Sequence, residues 1–275
     1  MSDWAEERDA FIRAFAGAFI FGVPLLFTME MWWIGEHGDA WKLVAFLVVA
    51  LLANFGLAFA AGFRRETTLV SHIDEAVDAM AVGIVGSAVM LAIMNQIRPG
   101  DPIGSIVGKI ALQAVPLSIG ASVANQVFEG RSRQGDDDEK GPEPLPTWQG
   151  LFSDVGATAI GGVFIGASIA PTEEVPMIAA ALDYWHLIAL VAFSLLVSYG
   201  IVFASGFDGQ SAEGPFQHPF TETMLAYVVS LVISFIALYL FNQVMLDDPL
   251  LSIVEQVIVL GVPTTVGGAA GRLVV

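Results

Sequence analysis

Residues 169–178 read IAPTEEVPMI, so two adjacent glutamates and two prolines interrupt a stretch that is otherwise almost wholly apolar. Proline removes a backbone donor and disfavours helical geometry at the residue that precedes it. Pro171 and Pro176 therefore predict a broken or strongly kinked helix around Glu173 and Glu174. Within a membrane, such backbone is tolerated where it lines a cavity or where neighbouring groups satisfy it.

The composition around this segment indicates a polytopic membrane protein of the all-α class. Of the 275 residues, 55% are hydrophobic and only 14% are charged, which a water-soluble domain could hardly accommodate in its core. Eight apolar stretches have about the length of a transmembrane helix. They are residues 15–34, 43–63, 77–97, 103–124, 156–180, 187–207, 223–243 and 251–272. The chain has no cysteine, which excludes disulfides and thiolate metal ligands.

The two halves of the chain are related by an internal duplication. At the offset of 144 residues that separates Glu30 from Glu174, identical residues recur through two spans and their loop. These pairs include Gly17 and Gly161, Gly22 and Gly166, Thr28 and Thr172, Asp39 and Asp183, and Trp41 and Trp185. At an offset of 147, further pairs include Glu75 and Glu222, Asn95 and Asn242, Gln96 and Gln243, Asp101 and Asp248, Pro116 and Pro263, and Gly120 and Gly267. Matches of this kind at constant spacing indicate two parallel four-helix repeats.

The repeats predict three segments and an orientation. Residues 1–124 form the first four-helix repeat, residues 125–150 a charged and proline-containing cytoplasmic linker, and residues 151–275 the second repeat. Because each repeat has an even number of spans, both repeats should enter from the same side of the membrane. Most lysines and arginines fall on the side that holds both termini, which predicts cytoplasmic termini. The opposite interface should carry an aromatic belt of Trp32, Trp33, Trp41, Tyr184 and Trp185.

Equivalent carboxylates in the first span of each repeat are the principal candidate site. Glu30 and Glu174 each lie two residues after a threonine, Thr28 and Thr172. A charged side chain inside a membrane helix costs about 2.5–3.5 kcal/mol at mid-helix and less near the interface, so it tends to face a partner or a cavity. Carboxylates, a threonine hydroxyl and freed carbonyls are hard oxygen ligands that suit Ca²⁺, Mg²⁺, Mn²⁺, Na⁺ or a proton. We therefore expect Glu30 and Glu174 to be the principal cation ligands.

Polar residues in the fourth span of each repeat alter the net charge at about the depth of Glu30 and Glu174. Lys109 in the first repeat corresponds to Gln256 in the second, and Glu255 lies beside it. If Lys109 neutralises one of Glu30, Glu173, Glu174 and Glu255, three carboxylates remain, which favours a cation or proton site over an anion site. Lys109 has no counterpart in the second repeat, so it is also a candidate for a tethered cation that takes the place of a substrate ion.

Prolines elsewhere in the spans are candidate kink or gating positions. Pro24 lies four residues before Thr28 and could open the carbonyl ladder one turn earlier. Pro116 and Pro263 occupy equivalent positions and could loosen the fourth span of each repeat.

Other interpretations compete with the cation site. Glu30 and Glu174 could reach the outer interface by snorkelling, and Asn95-Gln96 with Asn242-Gln243 favour helix-terminal hydrogen bonding over ligation. A cytoplasmic cluster resembles a metal site, but it more simply places negative charge at the N-termini of spans three and seven. Its members are His72, Asp74, Glu75 and Asp78, with His218 and Glu222 in the second repeat.

The segments TMEMWW (28–33) and APTEEVP (170–176), set in two four-span repeats, resemble hallmark segments of a bacterial family of integral membrane proteins of unassigned function. The resemblance covers nearly the whole chain. It implies a topology and no activity. The expected location of the chain is the bacterial inner membrane.

The leading functional hypothesis is a cation transporter or channel whose acidic ion site lies between the repeats. The alternative is a structural or accessory membrane protein that oligomerises or binds a partner. We expect no enzyme, because the sequence shows no paired histidines on a span, no nucleophile triad and no phosphate-binding loop. The expected partners are the lipid bilayer, an inorganic cation and a second copy of the chain, with no nucleic acid because a basic patch is lacking.

Overall fold

The computed structural model describes residues 3–62, 68–134, 147–204 and 219–273, and every regular element in these ranges is an α-helix. The helices are α1 (Asp3–Leu26), α2 (Met29–His37), α3 (Ala40–Gly62), α4 (Leu69–Ile93), α5 (Ile103–Gln134), α6 (Thr147–Ile169), α7 (Glu174–Ala181), α8 (Tyr184–Ala204), α9 (Pro219–Leu240) and α10 (Leu250–Arg272). The pattern of a long helix, a short helix and three long helices occurs twice, once in each half of the sequence.

The predicted all-helical membrane architecture is confirmed. Six of these helices are long and apolar enough to cross a membrane, and the number is eight if each bent pair, α1 with α2 and α6 with α7, counts as one span. Many large apolar side chains on the long helices are exposed, among them Val49, Leu52 and Phe164. In a chain of this class, such side chains face lipid.

The chain divides into two compact units, Met1–Gly130 and Arg131–Val275. Helix α5 continues to Gln134, past the predicted start of the linker at residue 125, and α6 begins at Thr147. Residues 135–146, which include the acidic run of the linker, lie outside the described residues.

Glycine pairs bring the first and last helices of each unit into backbone contact. A methyl group on Gly120 would lie 2.7 Å from the Gly17 carbonyl oxygen, and one on Gly267 would lie 2.5 Å from the Gly161 carbonyl oxygen. Either approach is too close for any side chain, and small residues permit this kind of helix packing in membranes. The duplicated glycines therefore fix the same α1–α5 and α6–α10 crossing in both units.

The asparagines shared by the repeats end helices. Asn95 and Asn242 have positive φ angles of 56° and 59°, a conformation that asparagine adopts more readily than most other residues. The next main-chain N–H, of Gln96 or Gln243, donates to the carbonyl of Leu91 or Leu238, which forms a Schellman C-cap. Helix capping thus accounts for the duplicated Asn-Gln pairs, as the sequence analysis favoured.

The shared aspartates of the same loops close a turn. The Arg98 N–H donates to Asp101 Oδ2 at 2.8 Å, and the Met245 N–H donates to Asp248 Oδ2 at 2.7 Å. Asp183 has a related role at the start of α8, where it accepts from the main-chain N–H of both Trp185 and His186. Hydrogen bonding from His186 holds the pKa of the Asp183 carboxyl below its usual range.

Candidate functional site

In both units, the first membrane helix breaks at nearly a right angle just before the shared glutamate. The bend between α1 and α2 is 86°, and the bend between α6 and α7 is 88°. Glu30 is exposed in the first turn of α2, and Glu174 is partly buried in the first turn of α7. A carboxylate near a helix N-terminus interacts favourably with the helix dipole. Glu173, exposed, is the N-cap residue of α7.

The break in the first unit is held by three side chains that donate to the last carbonyls of α1. The Thr28 hydroxyl donates to Pro24 O at 3.1 Å, Gln113 Nε2 donates to Leu25 O at 3.1 Å, and Trp32 Nε1 donates to Leu26 O at 2.9 Å. These carbonyls, which were expected to be available as cation ligands, already accept hydrogen bonds. Pro24 thus lies inside α1, which continues to Leu26, and its carbonyl oxygen accepts the hydrogen bond from Thr28.

Trp32 was placed wrongly by the sequence analysis, which assigned it to the aromatic belt. Only 4% of its surface is exposed, because its indole is turned inwards to the break. The other members of that set are all strongly exposed, namely Trp33, Trp41, Tyr184 and Trp185.

The break in the second unit is built differently. Thr172 Oγ1 donates to Ile169 O at 2.7 Å, so the threonine closes the end of α6. Pro171 lies in the turn between the helices, as expected for a helix breaker. Pro176 instead lies in the first turn of α7, and Val175 before it is helical, which corrects the expected local effect of this proline. The first-turn N–H groups of a helix have no intrahelical acceptor, so proline is tolerated there.

The ammonium of Lys109 pairs with a carboxylate that the sequence analysis did not single out. Lys109 is 8% exposed, and its Nζ lies 2.8 Å from Glu36 Oε2 and donates to Gln96 O at 3.2 Å. Glu36 lies near the end of the short helix α2, beyond the apolar stretch 15–34, so it was not among the acids expected within the spans. The ammonium therefore joins α2, α5 and the loop after α4.

A close backbone approach places α2 against α5 in the first unit. A methyl group on Gly35 would lie 2.9 Å from Gly108 O, so neither glycine could carry a side chain without displacement. In the second unit the same positions hold Ala179, which is buried, and Glu255, which is partly buried. The two repeats therefore share the break and differ in the contact beside it.

The residue that replaces Lys109 is Gln256, which is 7% exposed. Its Nε2 donates to Ser252 Oγ at 3.3 Å, while its Oε1 is buried and receives no hydrogen bond from the part of the chain that the structure describes. A buried acceptor without a donor costs free energy, so such an atom calls for an explanation.

A second polar cluster lies at the opposite end of the second unit, where α6 and α9 begin and α10 ends. Arg272 Nη2 lies 2.6 Å from Glu222 Oε2 and 3.5 Å from Asp154 Oδ2. The Arg272 and Glu222 side chains are almost fully buried, and a small cavity beside them is also lined by Thr158. Glu222 was expected in a cytoplasmic acidic cluster, and Arg272 was not singled out. The sequence analysis missed the pair because the residues are 50 positions apart.

The other positions singled out by sequence have plain structural settings. Pro116 and Pro263 lie inside α5 and α10, and both helices continue through the proline. His72 is buried, with its ring 5.8 Å from that of Phe59, and His218 lies outside the described residues. Across residues 3–62, 68–134, 147–204 and 219–273, no group of three or more His, Asp or Glu side chains could hold a metal ion.

Comparison with protein families gives a match over residues 10–275 to a family described as "Putative integral membrane protein (DUF2391)". Comparison with curated proteins and with solved structures gives no match.

Proposed function

The chain belongs to the DUF2391 family of integral membrane proteins, whose description names a location and no reaction, and we propose that it is a cation transporter or channel. The proposed activity is transport of a cation, and we propose no catalysed reaction. The proposed location is the bacterial inner membrane, with both termini cytoplasmic, because lysine and arginine concentrate on that side of the chain.

The observation that carries this proposal is the recurrence of a broken membrane helix with a carboxylate at its second segment. Discontinuous helices form the ion and substrate sites of many transporters, because a helix break exposes polar groups within the membrane. In each unit, the break is followed by a short helix whose N-terminal end favours the negative charge of Glu30 or Glu174. An ionised carboxylate is a hard oxygen ligand for a cation.

The balance of charge near the breaks also favours a cation. In the first unit, α2 carries two carboxylates, Glu30 and Glu36, and the Lys109 ammonium pairs with Glu36. The second unit carries Glu173, Glu174 and Glu255, and its sequence has no lysine or arginine from residue 141 to residue 271. Excess negative charge within a membrane protein attracts cations and repels anions.

The test is ion flux into proteoliposomes that contain the purified protein. Ca²⁺, Mn²⁺, Mg²⁺, Na⁺, K⁺, NH₄⁺ and H⁺ are compared for wild type and for the double variant Glu30→Gln/Glu174→Gln. We expect at least one cation to cross in wild type, with flux reduced by about tenfold or more in the double variant, since a loss of about 1.4 kcal/mol of ligand interaction changes an equilibrium constant tenfold.

The matched control is Asp247→Asn, which removes an exposed carboxylate from the loop between α9 and α10. Its position in the first repeat is taken by Gly100, so it is not part of the duplicated set. Flux in this variant should equal that of wild type. If a well-folded double variant conducts like wild type, or if wild type moves none of these ions, the alternative of an accessory membrane protein that assembles with a partner replaces the proposal.

A further inference from the structure

The two units differ around the Lys109 position in a way that points to a bound ion. In the first unit, the Lys109 ammonium is a permanent cation, held by the Glu36 carboxylate and the Gln96 main-chain oxygen. In the second unit, Gln256 stands at that position and Ala180 stands in place of Glu36. The carboxylate is nevertheless present, because Glu255 replaces Gly108 one residue before Gln256.

We propose that the second unit binds an exchangeable monovalent cation at the position that corresponds to the Lys109 ammonium. The ligands are the Glu255 carboxylate, the Gln256 side-chain oxygen and the main-chain oxygen of Gln243, the counterpart of Gln96. The proposal deepens the cation pathway by naming an ion class and a unit, and it rests on that pathway only for the role of the ion.

Two elements of the framework around the position recur in both units. Gln96 and Gln243 both follow a left-handed asparagine and close the same Schellman cap, so their carbonyls come from equivalent turns. The glycine pairs Gly17–Gly120 and Gly161–Gly267 fix the helix that carries Lys109 or Gln256 against the first helix of its unit. The replacement of lysine by glutamine therefore occurs between two preserved elements, the Schellman cap and the crossing of the first and last helices.

The buried side-chain oxygen of Gln256 is available to a ligand. It is shielded from solvent and has no hydrogen-bond donor among the described residues, which would be costly if nothing compensated for it. A cation compensates an amide oxygen directly. No lysine or arginine near the second break can supply a positive charge beside this oxygen, because residues 141–271 contain neither.

The distances from the Lys109 nitrogen to its two oxygen partners in the first unit indicate which cation fits the corresponding position. Oxygen atoms lie 2.8 and 3.2 Å from the Lys109 nitrogen. Mg²⁺ requires oxygens at about 2.0–2.1 Å and Ca²⁺ at about 2.3–2.6 Å, with several ligands for either ion. A position shaped for an ammonium, with one carboxylate and two neutral oxygens, suits ammonium itself or a similarly large monovalent ion such as potassium.

The experiment is thermal unfolding of the purified full chain in detergent. Ammonium chloride and potassium chloride are titrated against choline chloride at constant ionic strength. A ligand that binds only the folded state raises Tm with increasing concentration. We expect the Tm of wild type to rise with the logarithm of ion concentration above Kd, by about 3–6 °C at ten times Kd. In Gln256→Lys, Tm should be high without these ions and should not respond to them, because the new ammonium occupies the position.

Two further variants keep the result interpretable. Gln256→Met has a similar shape without an oxygen, and Glu255→Gln removes the charge, so both should lose the response to ammonium and potassium without the high Tm of Gln256→Lys. An unchanged ion response in any of these folded variants, or no ion response in wild type, would overturn the proposal.

The unfolding experiment and the flux experiment can fail independently of each other. Ion-dependent unfolding with no flux would support this site and remove the proposed pathway. Flux that depends on Glu30 and Glu174, together with ion-independent unfolding, would support the pathway and remove this site.

Discussion

At the scale of single residues, the duplicated polar positions divide into two kinds. Asn95 and Asn242 end helices in a left-handed conformation, and Asp101 and Asp248 close the turns that follow. Their recurrence follows from backbone geometry alone. Glu30 and Glu174 lie in the first turns of short helices, where the helix dipole favours a carboxylate but does not require one. The proposed function depends on these glutamates because they recur beside the helix break in both units.

The buried ion pair of the second unit gives a prediction of stability. Replacing Arg272 by alanine should lower the free energy of unfolding by about 3–5 kcal/mol, because it leaves the Glu222 charge buried without its nearest partner. The measurement is the unfolding transition in detergent. The control is Lys42→Ala, which breaks an exposed pair with Asp39 whose side chains are 62% and 58% exposed, and should cost at most about 1 kcal/mol. Equal effects of the two variants would show that burial of the Arg272 pair does not matter.

At the scale of helices, each unit depends on a crossing that admits no side chain. The glycines of this crossing are recognisable in sequence as small residues shared by the repeats, but sequence does not show which glycines touch. Gly56 is also shared by the two repeats, yet a methyl group there would meet no atom within 4 Å. Only the structure separates glycines required by packing from glycines that could be replaced.

The α6–α10 crossing gives a prediction in which one helix supplies both test and control. Gly161→Ala should destabilise the protein by about 1–3 kcal/mol, because the new methyl group would overlap the Gly267 backbone. Gly156→Ala in the same helix meets nothing within 4 Å and should stabilise it by about 0.5–1 kcal/mol through helix propensity. Thermal unfolding of the two variants beside wild type tests both signs, and destabilisation by Gly156→Ala would contradict the packing argument.

At the scale of the whole molecule, hydropathy and duplication were sufficient to predict an all-helical membrane protein. Pro171 made the break in the second half visible, because its effect on the backbone is local. The break in the first half is held by Gln113, which is 88 residues from its acceptor, and no local pattern predicts that contact. The Lys109–Glu36 and Arg272–Glu222 pairs escaped sequence reasoning for the same reason, since they depend on how distant helices pack.

The orientation of the chain gives a prediction at this scale. We expect a fluorescent protein fused after Val275 to fluoresce in a bacterial host and alkaline phosphatase fused there to be inactive, because both termini should be cytoplasmic. The control is a fusion truncated after Gly100, in the loop after α4, which should give the opposite pair of results. Active phosphatase at the C-terminus would contradict the proposed orientation.

The three donors at the first break have a mechanical consequence. Straightening α1 into α2 would require the hydrogen bonds from Thr28, Gln113 and Trp32 to Pro24, Leu25 and Leu26 to be given up together. Each is worth about 0.5–1.5 kcal/mol net, and more if the freed group stays buried. Extending α1 into α2 would therefore cost about 1.5–4.5 kcal/mol from these three hydrogen bonds. A movement that opens the first unit costs less if α1 and α2 keep their angle and move together.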